Sequence, residues 1–294
     1  MRPFKIFTVA FALLFALAHV THAQAAAPAG QRFSVVVEGT GPDVILIPGL
    51  SSPRSVWNAA AERLKARYRV HLVQIGGFAG EPVGANGEGP VAAPVAEALN
   101  DYIAKEGLKA PAVIGHSMGG EIAVMLAARH PGSVGRVMAV DSLPFYSLLF
   151  SPSATPEGVR LQADMFRDMI LGQTVEQNRS AQAAILQRLV KTEAARPALI
   201  EAGIASDKSV TARSVHELMT TDLRPELSTI TAPLTVLYAW DAGLGLPAEA
   251  ADRLFRGAYA GAPAARLQRV DGSYHFIMID QPEAFATAVD NFLR

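Results

Sequence analysis

Short apolar runs separated by longer amphipathic stretches recur along this chain. Seven runs read as strands: Phe33–Glu38, Val44–Ile47, Val70–Ile75, Ala112–Ile114, Val134–Val140, Leu234–Ala239 and Arg266–Val270. Several are continuously apolar rather than alternating, the pattern of parallel strands covered on both faces. Helical spacing fills the gaps near Val56–Ala66, Val91–Lys105, Met118–Arg129, Ala248–Tyr259 and Pro282–Phe292. Strands and helices in alternation predict an α/β fold, a mostly parallel central sheet with helices on both faces.

One stretch departs from this alternation. From Ser142 to about Ile230 no strand-like run occurs, and Met165, Phe166, Met169 and Ile170 recur at helical spacing. So long a helical segment exceeds what a crossover between strands needs. It predicts a helical cap, residues 142–230, inserted over the sheet edge, with Pro144, Pro152 and Pro156 in the leading loop. The core is then 31–141 and 231–294.

The first residues follow a different pattern. Arg2 and Lys5 precede an uncharged apolar run from Ile6 to Ala18, and Thr21-His22-Ala23 ends in a small residue. A basic start, an apolar stretch and a processing site read as a secretory signal peptide over residues 1–23. The run is shorter than the roughly 20 residues a helix needs to span a bilayer, so export to the periplasm or medium is expected rather than stable membrane insertion. Losing Arg2 and Lys5 would take the net charge from −1 to −3. Neither value is basic enough to suggest a nucleic-acid partner. The 294 residues include no cysteine, which excludes disulfides, thiol catalysis and cysteine-ligated metals.

The chemistry concentrates in Gly115-His116-Ser117-Met118-Gly119. An apolar strand run precedes this Gly-x-Ser-x-Gly and an apolar helical run, Glu121–Arg129, follows it. A serine on so sharp a strand-to-helix turn takes a strained backbone, and the flanking glycines let strand and helix approach closely. The turn lifts the Ser117 hydroxyl out of the sheet. It also places the Met118 N–H at a helix N-terminus, where an oxyanion is stabilised.

With those residues in view, the chain resembles the α/β-hydrolase superfamily in its capped branch, over nearly all of the sequence beyond the signal. The resemblance implies the α/β-hydrolase fold, with the cap inserted between strands 6 and 7 of the family's count. Leu46-Ile47-Pro48-Gly49-Leu50 is similar to the family's first oxyanion loop, with Pro48 where histidine is usual. By that resemblance the second oxyanion N–H belongs to Leu50.

The family's chain order of serine, acid, histidine requires the base to come last. Of the histidines beyond the signal, His71 lies on a strand, His116 in the elbow, His130 at a helix end and His216 in the cap. Only His275 lies in a loop between the last strand and the last helix, and an imidazole there can take the serine proton near neutral pH. Two residues compete for the acid that orients it. Asp241 follows the strand Leu234–Ala239 at the superfamily's usual place, though in a shortened turn, Ala239-Trp240-Asp241. Asp141, directly after Val134–Val140, is the position that some members use. Asp241 is the first choice and Asp141 the alternative; Asp271 and Asp280 are expected to orient the histidine loop or cap the last helix.

These residues predict a serine hydrolase that acts on a small-molecule ester, thioester, lactone or amide through an acyl-enzyme. The same triad could instead serve acyl transfer or C–C cleavage, or persist as a relic in a ligand-binding protein. A serine nucleophile argues against haloalkane and epoxide hydrolysis, whose family members use aspartate. No phosphate loop, zinc-binding histidine pair or dinucleotide turn occurs, so no cofactor or metal is expected. Phe145, Tyr146, Met165, Phe166 and Met169 in the cap, with Trp57, Phe78 and Tyr274, are either pocket lining or core.

Overall fold

The structure, a computed structural model, describes residues 31–294. The expected signal peptide, 1–23, and the Ala/Pro-rich linker after it lie outside the described residues. The seven strands are β1 (Phe33–Glu38), β2 (Asp43–Ile47), β3 (Arg69–Ile75), β4 (Ala112–His116), β5 (Arg136–Val140), β6 (Leu234–Trp240) and β7 (Arg266–Asp271). They form one sheet in the order β1-β3-β2-β4-β5-β6-β7. Only β1 pairs antiparallel; every other pair is parallel. Strand β5 starts two residues later than the expected Val134, because Gly135 is pressed against the Ala110 backbone and the ladder begins at Ala112–Arg136.

Alternate side chains of the same strands feed two cores. On one face Ile45, Ile47, Val113, Val137 and Val236 pack against α2 (Ala92–Lys105) and α3 (Met118–Arg129). On the other face Val44, Leu46, Ile114, Met138 and Leu237 pack against α1 (Asn58–Leu64) and α10 (Pro282–Leu293). Helix α3 is buried on all sides from Met118 to Ala128, which explains a sequence that is apolar there but for Glu121. Helix α8 (Ala248–Ala258) lies between β6 and β7, and the short α9 (Ile277–Asp280) precedes α10.

The cap is α4 (Pro156–Gly172), α5 (Val175–Leu189), α6 (Arg196–Ala205) and α7 (Lys208–Thr220), between β5 and β6. Its helices start on sequence-encoded caps. The Thr155 hydroxyl accepts the Gly158 N–H ahead of Pro156, Thr174 and Gln177 form a capping box, and Asp207 accepts the Val210 N–H. Helix α4 packs along α7, and α5 along α6. Polar bonds fasten the cap to the core. The Asp207 N–H donates to Gly77 O at 2.7 Å, while within the insertion the Ser147 hydroxyl donates to Met219 O at 2.7 Å. The Glu217 carboxylate accepts the N–H groups of Val91, Ala92 and Ala93, capping α2 from α7. No described helix is long and apolar enough to cross a membrane.

Candidate active site

Ser117 sits between the last residue of β4 and the first of α3, with φ +53° and ψ −122°. Few non-glycine residues adopt such a backbone, and the surroundings have to enforce it. Here they do. The Ser117 N–H donates to Val140 O at 2.9 Å, and the Ser117 carbonyl accepts the N–H of Gly120 at 2.8 Å and of Glu121 at 3.1 Å. A Cβ at Gly115 would overlap the Gly119 carbonyl, and one at Gly119 would overlap the Ile47 carbonyl. The two glycines are therefore required by the close approach of helix, strand and oxyanion loop.

The loop after β2 lies against the nucleophile. A Cβ at Gly49 would come 3.0 Å from the Ser117 Cβ. The turn closes through Ser52 N–H to Gly49 O at 3.2 Å, and the Ser52 hydroxyl donates to Leu50 O at 3.2 Å. Neither bond uses the Leu50 N–H. The Met118 N–H is at the first position of α3, ahead of any carbonyl that the helix could offer it. Ser51, next in the loop, also has positive φ, +53°.

His275 meets the elbow through its neighbour. The His116 and His275 rings are 4.5 Å apart, and His116 Nε2 donates to the His275 carbonyl at 3.0 Å. That bond fixes His116 as the Nε2–H tautomer, with Nδ1 buried and unpartnered. Burial, reinforced by repulsion from His275, holds its pKa well below the ordinary histidine value, so the ring is neutral. His116 therefore braces the base loop and does not titrate. The sequence pattern gave His116 no such function; the one hint was its place inside the elbow.

The structure brings Asp141, and not Asp241, to His275. Asp141 Oδ2 lies 2.6 Å from His275 Nδ1, with both side chains mostly buried. The Asp141 N–H extends the ladder to Leu237 O at 2.7 Å, and φ +45° then turns the chain out of β5. Its second oxygen accepts the Ala239 N–H at 2.8 Å. One oxygen is thus fixed by the β6 backbone, and the other takes the imidazole. The expectation for Asp241 is corrected. Asp241 caps the short turn after β6, taking the Gly243 N–H at 2.8 Å on one oxygen and Lys191 Nζ at 2.6 Å on the other. The Lys191 ammonium and that N–H hold its carboxyl below the usual range.

Ser117, Asp141 and Ser51 are three of the five non-glycine residues with positive φ among the described residues. Strain of this kind collects at functional sites. An imidazole oriented by a carboxylate and a hydroxyl on a strained elbow are the parts that nucleophilic acyl transfer uses.

The other sequence candidates go elsewhere. Phe145, Trp57 and Phe78 are fully buried core residues. Met165 and Met169 are exposed on the outside of α4, and Phe166 stacks on Phe150. Tyr146 packs against the core. His71 lies buried between Asp43 and Tyr102, His130 bonds Glu97, and His216 is 3.3 Å from Asp164. Asp271 pairs with Arg269, whereas Asp280 accepts the Tyr274 N–H in the histidine loop.

Comparison with known proteins places this geometry in its family. The model of the alpha/beta hydrolase family matches residues 44–288. The chain belongs to the alpha/beta hydrolase family. It is an enzyme fold, and several relatives carry hydrolase names. A pimeloyl-[acyl-carrier protein] methyl ester esterase of Aromatoleum aromaticum is 27% identical over 272 residues, spanning 86% of this chain and 98% of its own. A hydrolase from Pseudomonas aeruginosa superposes with a TM-score of 0.73 at 21% identity, covering 89% of this chain and 94% of its own. The enol-lactonase from Burkholderia xenovorans LB400 does so at 0.71 and 20%, covering 89% and 96%.

Proposed function

We propose that this hydrolase cleaves a carboxylic ester by way of an acyl-enzyme on Ser117. In this reading His275 takes the Ser117 proton as the hydroxyl attacks the ester carbonyl, and the Met118 and Leu50 N–H groups receive the oxyanion. His275 then returns that proton to the leaving alkoxide. In the second half water attacks the acyl group, its proton passes to His275 and then to Ser117, and the carboxylic acid leaves. Asp141 keeps the His275 Nδ1–H in place and stabilises the imidazolium. The observation that carries the reading is the Asp141–His275 pair at 2.6 Å, next in the chain to the Val140 carbonyl that accepts the N–H of the strained Ser117. The ester is favoured over an amide because the similar esterase of Aromatoleum aromaticum is named for a methyl ester. The enol-lactonase likeness shows the fold alone.

The test is covalent. A fluorophosphonate should modify Ser117 and no other residue, with loss of p-nitrophenyl ester turnover in step with labelling. An adduct mapped by mass spectrometry to another residue would overturn the assignment. We also propose export, on the strength of Arg2, Lys5 and the apolar run Ile6–Ala18. N-terminal sequencing of the exported protein should start at about Gln24; full-length protein confined to the cytoplasm would contradict it.

A further inference from the structure

The cap touches the loops beside the proposed reacting groups from two sides. On one side, the Thr211 hydroxyl of α7 lies 3.1 Å from the Ser51 hydroxyl, next to Leu50 in the oxyanion loop. Ser51 holds a left-handed backbone that serine rarely adopts, so something must keep it there. Thr211 is itself rigid, since its N–H is held by Asp207 O and the Asp207 N–H by Gly77 O of the core. On the other side, the hinge between α5 and α6 is sewn to the loop that carries His275. The Asp280 carboxylate accepts the backbone N–H groups of Lys191 and Thr192 from the cap and of Tyr274 from the base loop. The Phe276 N–H, next to His275, donates to Leu189 O at 3.3 Å, and Lys191 Nζ joins the same seam through Asp241.

We propose that the cap positions the reacting groups as well as covering them. Thr211 holds the oxyanion loop through Ser51, and the Leu189–Thr192 hinge holds the base loop through Asp280. Thr211 and Asp280 are positioning residues for the chemistry assigned above to Ser117, and the inference rests on that reading. Its physical basis is preorganisation: donors aimed at a developing charge help only while their geometry is fixed before reaction. A cap that merely covered the site would touch the substrate's outer parts and leave the peptide planes around Leu50 and His275 alone.

An ester too small to fill a lid separates the two functions. With p-nitrophenyl acetate, Thr211→Val should lower kcat about tenfold with KM unchanged, the scale of one lost hydrogen bond. Thr211→Ser, which keeps the hydroxyl, should restore it. Asp280→Asn, which loses an acceptor for one of the three N–H groups, should also lower kcat with KM unchanged. Met169→Ala, on the exposed outside of α4, should leave this substrate's kcat at the parent value. A thermal melt near the parent's for Thr211→Val keeps unfolding from mimicking the effect. Should the Thr211 and Asp280 variants match the parent in kcat, or change KM alone, the proposal fails. Failure of the parent to label at Ser117 would instead remove the serine-hydrolase reading.

Discussion

The sheet edge and the cap obey different rules. At the edge, Ser117, Asp141 and Ser51 hold costly backbone conformations, and buried strands and helices surround them. The cap is exposed by comparison. Eight of the eleven exposed large hydrophobic residues among the described residues lie between Leu149 and Ile185. It joins the core through a few buried apolar side chains, such as Val190 and Val210, and through polar bonds such as those of Glu217 and Asp207. Strain survives where burial over-determines it, so the machinery sits in the rigid layer; the cap can alter its surface without disturbing that layer.

The sharpest way to break this contrast is to remove the proposed nucleophile. Ser117→Ala should lower turnover by on the order of 10⁶, as triad members act as a unit, while the melting profile stays close to the parent's. Turnover within tenfold of the parent would mean that the reaction does not pass through the edge.

Next comes the proposed acid. Asp141→Asn should lower kcat by about 10⁴, since the amide favours the wrong imidazole tautomer. Asp241→Asn should stay within a few-fold, because its carboxylate serves Lys191 and a turn. The reverse ranking would return the acid to the end of β6.

Stability sharpens the boundary between the two regions. Glu217→Ala removes from α7 the carboxylate that caps α2, leaving three N–H groups without it. It should cost about 2 kcal/mol in denaturant unfolding. An unchanged midpoint would show that this seam between cap and core contributes nothing to stability.

The smallest effect concerns pH. Glu121, in the first turn of α3, is fully buried, and burial with the nearby Glu217 carboxylate raises its pKa well above the ordinary value, against the opposing pull of Arg129. The folded protein therefore holds a proton that the unfolded chain releases. That contribution to stability is complete below the ordinary glutamate pKa and is lost as pH rises toward the folded value. Glu121→Gln should flatten this decline in melts taken across neutral pH; an unchanged slope would place the proton on another group.

Much of this was legible in the chain. Buried parallel strands announce themselves as short apolar runs, so β1 matched its expected bounds and most of the others shifted by a residue or two. The elbow is a local motif with local consequences. The acid was different. Asp141 and Asp241 follow adjacent parallel strands, and nothing nearby in sequence distinguishes their surroundings. What separates them is non-local: Ala239 fixes Asp141 from the adjacent strand β6, 98 residues away in sequence, and Lys191, fifty residues earlier in the chain, occupies Asp241. The functions of His116 and Thr211 were hidden for the same reason, each depending on a partner far away in sequence; for Asp280, expected to orient the histidine loop or cap the last helix, only the bonds to Lys191 and Thr192 of the cap were hidden. Phe145 shows the opposite limit, since helical periodicity alone cannot tell a pocket wall from a core.

The central claim is that the Nδ1–H of His275 belongs to Asp141. Proton NMR of the parent and the two asparagine variants, each with neutral and protonated histidine, tests it most directly. The account predicts a strongly deshielded imidazole proton that is retained in Asp241→Asn and lost in Asp141→Asn. A signal that survives in Asp141→Asn and vanishes in Asp241→Asn would contradict it.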